Sequence, residues 1–193
     1  MADTDDNDSS AVVIPKTYLV IANIAKSANV RSLLLAAVAF GCHAVLIVGQ
    51  AKNLPQDDPI DNAGTTAATK NPISAPVLER VNEGGLQLHR FPKWKDCVAF
   101  LSSNKIRLIG VEIDETSVVL DDGYFSSHPL DCDTALVMGN EGSGLHPKYM
   151  EACDALIMLS QYGSGTASFN VSIAASMVLY RFRQEQERRR GES

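Results

Sequence analysis

A glutamate set among three glycines, and a serine and an asparagine at the head of an apolar helix, are the side chains best placed by type and spacing to do chemistry. The first group is residues 139–144, Gly-Asn-Glu-Gly-Ser-Gly, centred on Glu141. Glycines let backbone approach a ligand closely. A carboxylate among them can accept hydrogen bonds from ligand hydroxyls or orient neighbouring backbone. A tight turn with a solvated glutamate accounts for the same residues, and the loop alone leaves both open. The second group, residues 163–173 (GSGTASFNVSI), offers Ser168 and Asn170. Ser168 suits the N-cap of the helix that follows. Asn170, in its first turn, can offer donor and acceptor together to a ligand. Free N–H groups at a helix start also favour negatively polarised ligand groups.

The same residues exclude several common chemistries. No Gly-Lys-Ser/Thr closes the first loop, so it is not a Walker phosphate loop. Its glycine spacing is not the dinucleotide fingerprint either. Ser143 and Ser164 are preceded, two residues earlier, by Glu141 and Tyr162, so neither sits in a G-x-S-x-G nucleophile elbow. The four histidines (His43, His89, His128, His146) are scattered, each more in keeping with a structural or surface role. No His/Cys/Asp/Glu spacing suggests a metal.

The elements that must position these loops are legible as apolar runs. Residues 134–138 and 155–159 have strand character, and each breaks into one of the polar loops. The loops lie about 25 residues apart, so one short helix at 147–153, with Pro147 in its first turn, can join the two strands. Two strand ends followed by bare backbone make two walls of one pocket. Upstream, residues 18–22, 44–48, 86–91 and 107–113 have strand character, and 29–40 and 94–102 helical character, with Gly41 closing the first helix. Residues 169–186 make the longest helix. Residues 50–76, with four prolines, and the polar stretch 116–133 are connections. Strands alternating with helices imply an α/β fold, an α/β/α sandwich around a mainly parallel sheet. A single domain at 14–193 follows a disordered acidic leader at 1–13.

Composition sets outer bounds. The net charge is −6, but Asp3, Asp5, Asp6 and Asp8 contribute four of the acids within the first ten residues. The overall balance is therefore weak evidence against a nucleic-acid partner. Arg181, Arg183, Arg188, Arg189 and Arg190 make the chain's end basic, as a solvated last turn favoured by the helix dipole would be. Cys42, Cys97, Cys132 and Cys153 form no C-x-x-C pair and sit in or beside apolar runs, as buried free thiols do. A reducing compartment, cytoplasmic or nuclear, is the expectation. No apolar run approaches the length of a membrane span.

With both loops in place, the sequence resembles the SpoU/TrmH family of RNA ribose methyltransferases, within the SPOUT superfamily. Residues 136–145 (LVMGNEGSGL) are similar to the family's second motif and residues 165–175 (GTASFNVSIAA) to its third. The likeness spans roughly residues 16–183. It implies a C-terminal deep trefoil knot, a homodimer, and S-adenosyl-L-methionine bound in the knot, with tRNA or rRNA as methyl acceptor. Carried over by position, cofactor contacts fall on Val111, Gly139, Leu159, Ser168 and Phe169. Glu141 and Asn170 correspond to polar active-site residues, and Asn29 borders the site. In the first motif Asn29, Phe40 and Gly41 match, but Arg31 stands at a glycine position and Leu35 at the family's arginine position. Leucine can neither remove nor stabilise the proton of a ribose 2′-hydroxyl. Arg31 and Leu35 are four apart and share a helix face. Arg31 therefore either returns a guanidinium to that place or binds phosphate or solvent. The alternative to an active 2′-O-methyltransferase is a knotted dimer that binds S-adenosyl-L-methionine, RNA or both without transferring methyl.

Overall fold

The computed structural model describes residues 13–49, 73–140, 142–163 and 168–191. Glu141, the expected leader up to residue 12 and most of the 50–76 connection lie outside the described residues. The elements run β1 (Thr17–Ala22), α1 (Ser27–Ala39), β2 (Ala44–Val48), α2 (Ala75–Asn82), β3 (Gln87–Phe91), α3 (Trp94–Ser103), β4 (Arg107–Val111), β5 (Val118–Val119), α4 (Tyr124–Ser127), β6 (Thr134–Met138), α5 (Pro147–Met150), β7 (Ala155–Met158) and α6 (Val171–Gly191).

The near-continuous apolar runs of β1, β2 and β6 suit strands buried on both faces, and every residue in them is buried. All seven strands are parallel, in the order β3-β2-β1-β6-β4-β7-β5. The period of two along each strand divides the core. Leu19, Ile21, Val45 and Leu136 point to one face, under α1, α2, α4 and α6, where Leu33, Val77, Tyr124 and Phe182 meet them. Val20, Leu46 and Val137 point to the other, under α3 and α5, against Cys97, Leu101 and Tyr149. Each fully buried aliphatic side chain contributes about 1.5–3 kcal/mol. The expected α/β/α sandwich is the architecture found.

Several boundaries differ from expectation, each for a local reason. The strand expected over 107–113 stops at Val111. Residues 116–133 are not merely a connection, since they hold the two-residue strand β5 and the turn of helix α4. Helix α2 begins inside the proline-rich stretch, with Pro76 in its first turn, where its missing N–H is no loss. The short helix expected over 147–153 closes at Met150. The last helix starts two residues later than expected and runs on to Gly191. Gly41 closes α1 as expected, at φ +66°, with its N–H on the Val38 carbonyl.

Candidate active site

The carboxyl ends of β4, β6 and β7 and the head of α6 converge on one cavity. Val111, Gly139, Leu159, Ser168 and Phe169 all line it. The five positions expected to meet a cofactor are thus brought to one place from four separate stretches of chain. Parallel strands do this because all their carboxyl ends open on one edge.

The wall from β6 is a tight loop. Asn140 and Gly144 exchange backbone hydrogen bonds of 2.9 and 3.0 Å, closing residues 140–144 into a short hairpin-like turn. Asn140 Oδ1 also accepts from the Gly142 N–H at 3.0 Å. Gly144 takes φ +65°, a conformation that favours glycine. The Asn140 Nδ2 donates to the carbonyl of Asn23, which ties this loop to the exit of β1. Asn23 is itself one of two non-glycine residues at positive φ among the described residues, at +57°. Asparagine tolerates that region better than most.

Sequence reasoning missed Glu112. It follows Val111 at the exit of β4 and lines the cavity. Its Oε1 accepts from the Ile113 N–H at 3.0 Å, and its Oε2 accepts from the Leu145 N–H. Placing the strand end at 113 put Glu112 inside the strand. Ended at Val111, the residue lies where side chains at a strand's carboxyl end meet ligands, which is the signal that could have found it.

Ser168 is not the cap of the last helix. Asn170 does that work. Its Oδ1 accepts from the Ser172 N–H at 2.9 Å and the Ser172 hydroxyl at 2.6 Å, and its carbonyl accepts from Ala174. Its Nδ2 donates to Asn29 Oδ1 at 3.2 Å. Asn170 lies between Phe169 and Val171, both on the cavity wall, so this amide pair stands beside the cavity. Asn29 is only 7% exposed, and its Nδ2 has no partner among the described residues. A buried donor without an acceptor is costly. Arg31 and Leu35 do not join this pair. Asn29 faces inward, and 100° per residue carries Arg31 nearly to the opposite side of α1, where Arg31 and Leu35 are both exposed. Within one chain, then, Arg31 does not reach the Asn29 side of the helix.

Burial favours the protonated form of the thiols. Burial pushes Cys42, Cys97 and Cys153 up to about 12, with Asp154 adding to the shift at Cys153. All four cysteines are free. Among the described residues no three His, Cys, Asp or Glu side chains stand together as a metal site would need.

The family model of the SpoU rRNA Methylase family matches residues 16–180. The chain belongs to this family. Its relatives include the 23S rRNA (guanosine-2′-O-)-methyltransferase RlmB of Acinetobacter baylyi, 29% identical over 109 residues, 54% of this chain and 42% of that protein. The RlmB of Coxiella burnetii is 25% identical over 176 residues, 90% of this chain and 60% of that protein. The chain therefore spans about half the length of these relatives. The SpoU methyltransferase AviRb of Streptomyces viridochromogenes, in complex with the cofactor AdoMet, superposes with a TM-score of 0.62 at 21% identity, covering 96% of this chain and 63% of that one. This likeness is one of fold. Among the described residues no helix is long and apolar enough to cross a membrane.

Proposed function

We propose that this member of the SpoU family is an S-adenosyl-L-methionine-dependent 2′-O-ribose methyltransferase acting on tRNA or rRNA. The observation that carries the reading is the gathering of Val111, Gly139, Leu159, Ser168 and Phe169 on one cavity, beside the Asn29–Asn170 pair. The residues present suit the cofactor. Met138, Leu159 and Phe169 give apolar surface for a flat base, and the strand-end backbone gives polar groups for hydroxyls. When bound, S-adenosyl-L-methionine supplies a methyl group on a sulfonium, open to in-line displacement by an oxygen nucleophile. The protein's part is then mainly positioning. Asn170 holds the head of α6 at the cavity, and Asn29 borders the site through its bond to Asn170. Glu141 orients the nucleotide from the loop of β6, and Arg31 binds RNA phosphate from the exposed face of α1.

The same proposal includes the knot and the homodimer that the resemblance implies. The knot is supported by strand order: β7 lies between β4 and β5, both earlier in the chain, so the 112–117 connection spans the place β7 enters. The dimer is supported by an apolar stripe on α6, where Ile173, Met177 and Tyr180 are 53%, 40% and 51% exposed, with Leu35 of α1 at 37%. Four unpaired cysteines are in keeping with a cytoplasmic or nuclear setting.

One observation favours a second reading. Leu35 leaves α1 without the family's arginine, and Arg31 diverges from Asn29, so no residue of α1 in the same chain manages the 2′-hydroxyl proton. A protein that binds cofactor and RNA but transfers nothing fits that arrangement. Calorimetric binding of S-adenosyl-L-methionine, followed by transfer of labelled methyl to total RNA, separates the two. Transfer establishes the enzyme, and binding without transfer establishes the binding protein.

A further inference from the structure

Gly139 and Gly144 look, from sequence, like room left for a ligand. Their surroundings say otherwise. A Cβ built on Gly139 would collide with Glu112 Oε2, besides pressing on Leu145 N at 3.1 Å and the Gly144 carbonyl carbon at 3.2 Å. One built on Gly144 would lie 2.7 Å from Glu112 Oε2 and 3.0 Å from both its Oε1 and its carboxyl carbon. Gly142, in the same loop, would meet nothing within 4 Å. The two crowded glycines thus make space for a carboxylate of the protein itself. That carboxylate is fixed at both ends, by the Ile113 N–H from its own strand exit and by the Leu145 N–H from the far end of the loop.

We propose that Glu112 is a positioning residue. Its carboxylate, seated between Gly139 and Gly144 and bonded to Leu145 N, locks the loop after β6 onto the exit of β4 and so sets the shape of the cavity. The inference rests on the reading that this cavity holds the cofactor. Mutual contact predicts non-additive effects, since residues that share a contact couple where distant ones add. The glycines and Glu112 form one unit. An added methyl at 139 strikes the carboxylate, and removing the carboxylate relieves most of that clash while freeing the loop.

The test is a double-mutant cycle on Glu112→Ala and Gly139→Ala, read by calorimetric affinity for S-adenosyl-L-methionine. Gly139→Ala alone should weaken binding about tenfold, and no more than about threefold when Glu112 is already alanine. Glu112→Gln keeps the side chain's shape but turns an N–H toward a backbone N–H, so it should also weaken binding about tenfold while the far-ultraviolet circular dichroism stays unchanged. Equal losses from Gly139→Ala in both backgrounds, or wild-type binding by Glu112→Gln, would overturn the inference. The same cycle is run on urea-unfolding free energies, which need no ligand. If wild type binds no S-adenosyl-L-methionine, the functional reading fails. The urea cycle then decides the lock by itself, coupled effects supporting it and additive ones overturning it.

Discussion

Asn170 is asked to do two things with one side chain. Its Oδ1 closes the first turn of α6 through Ser172, and its Nδ2 holds Asn29 across a sequence separation of 141 residues. Asn170→Ala should lower the unfolding free energy by about 1 kcal/mol through the lost cap. That is about 2–4 °C in thermal midpoint for a chain of this size. A midpoint within 1 °C of wild type would remove Asn170 from both roles. The importance of Asn170 was legible in the sequence, but its capping role was not. Ser168 and Asn170 are both good cap residues two positions apart, and propensity does not choose between them. The buried Asn29, by contrast, carries no sign in its local sequence that it meets α6, because its partner lies at the other end of the chain. Glu112 was missed for a related reason. A strand boundary placed two residues too late turns a cavity-facing carboxylate into a strand residue.

At the scale of elements, the strands were the most legible part. Runs such as AVLIV and TALVM can only be buried on both faces, and they form the middle of the sheet. Helix α6 was read too short, because its last turns look like solvent-facing charge. They are instead ion-paired. Glu185 is 5% exposed and bonds Arg188 at 2.6 Å and Arg189 at 3.1 Å, while Glu187 takes Arg183 and Arg190. The bonds from Arg188 first, and then Arg189, hold the Glu185 carboxyl below the usual carboxylate range. A depressed carboxyl stabilises the fold fully above its unfolded pKa and loses that contribution as pH falls through its folded value. Glu185→Gln should therefore cost about 1 kcal/mol at neutral pH, the exposed arginines limiting the gain. The gap from wild type should close as pH falls below the carboxyl's lowered folded range. A deficit that is constant with pH in urea titrations would show that Glu185 acts through packing and not charge.

For the molecule as a whole, the question is whether one copy suffices. The stripe of Ile173, Met177 and Tyr180 repeats at helical spacing along α6, which packs on α1 through contacts such as the Phe40–Tyr180 ring pair at 6.2 Å. Covering this stripe with a second copy predicts a particle of twice the 20.8 kDa chain in sedimentation equilibrium. Met177→Glu should weaken that dimer at least tenfold, by about 1.4 kcal/mol or more, with the circular dichroism unchanged. A monomeric wild type at micromolar concentration would refute it. That the sheet is parallel could be expected from the alternation of elements, but the strand order, with β7 between two earlier strands, could not. The chemistry is tested most directly by incubating the full chain with methyl-labelled S-adenosyl-L-methionine and total RNA. The account predicts label that nuclease releases from the RNA and that alkaline hydrolysis leaves in dinucleotides, because a methylated 2′-oxygen cannot attack the adjacent phosphate. No label in any RNA preparation, or label only in nuclease-resistant material, would contradict it.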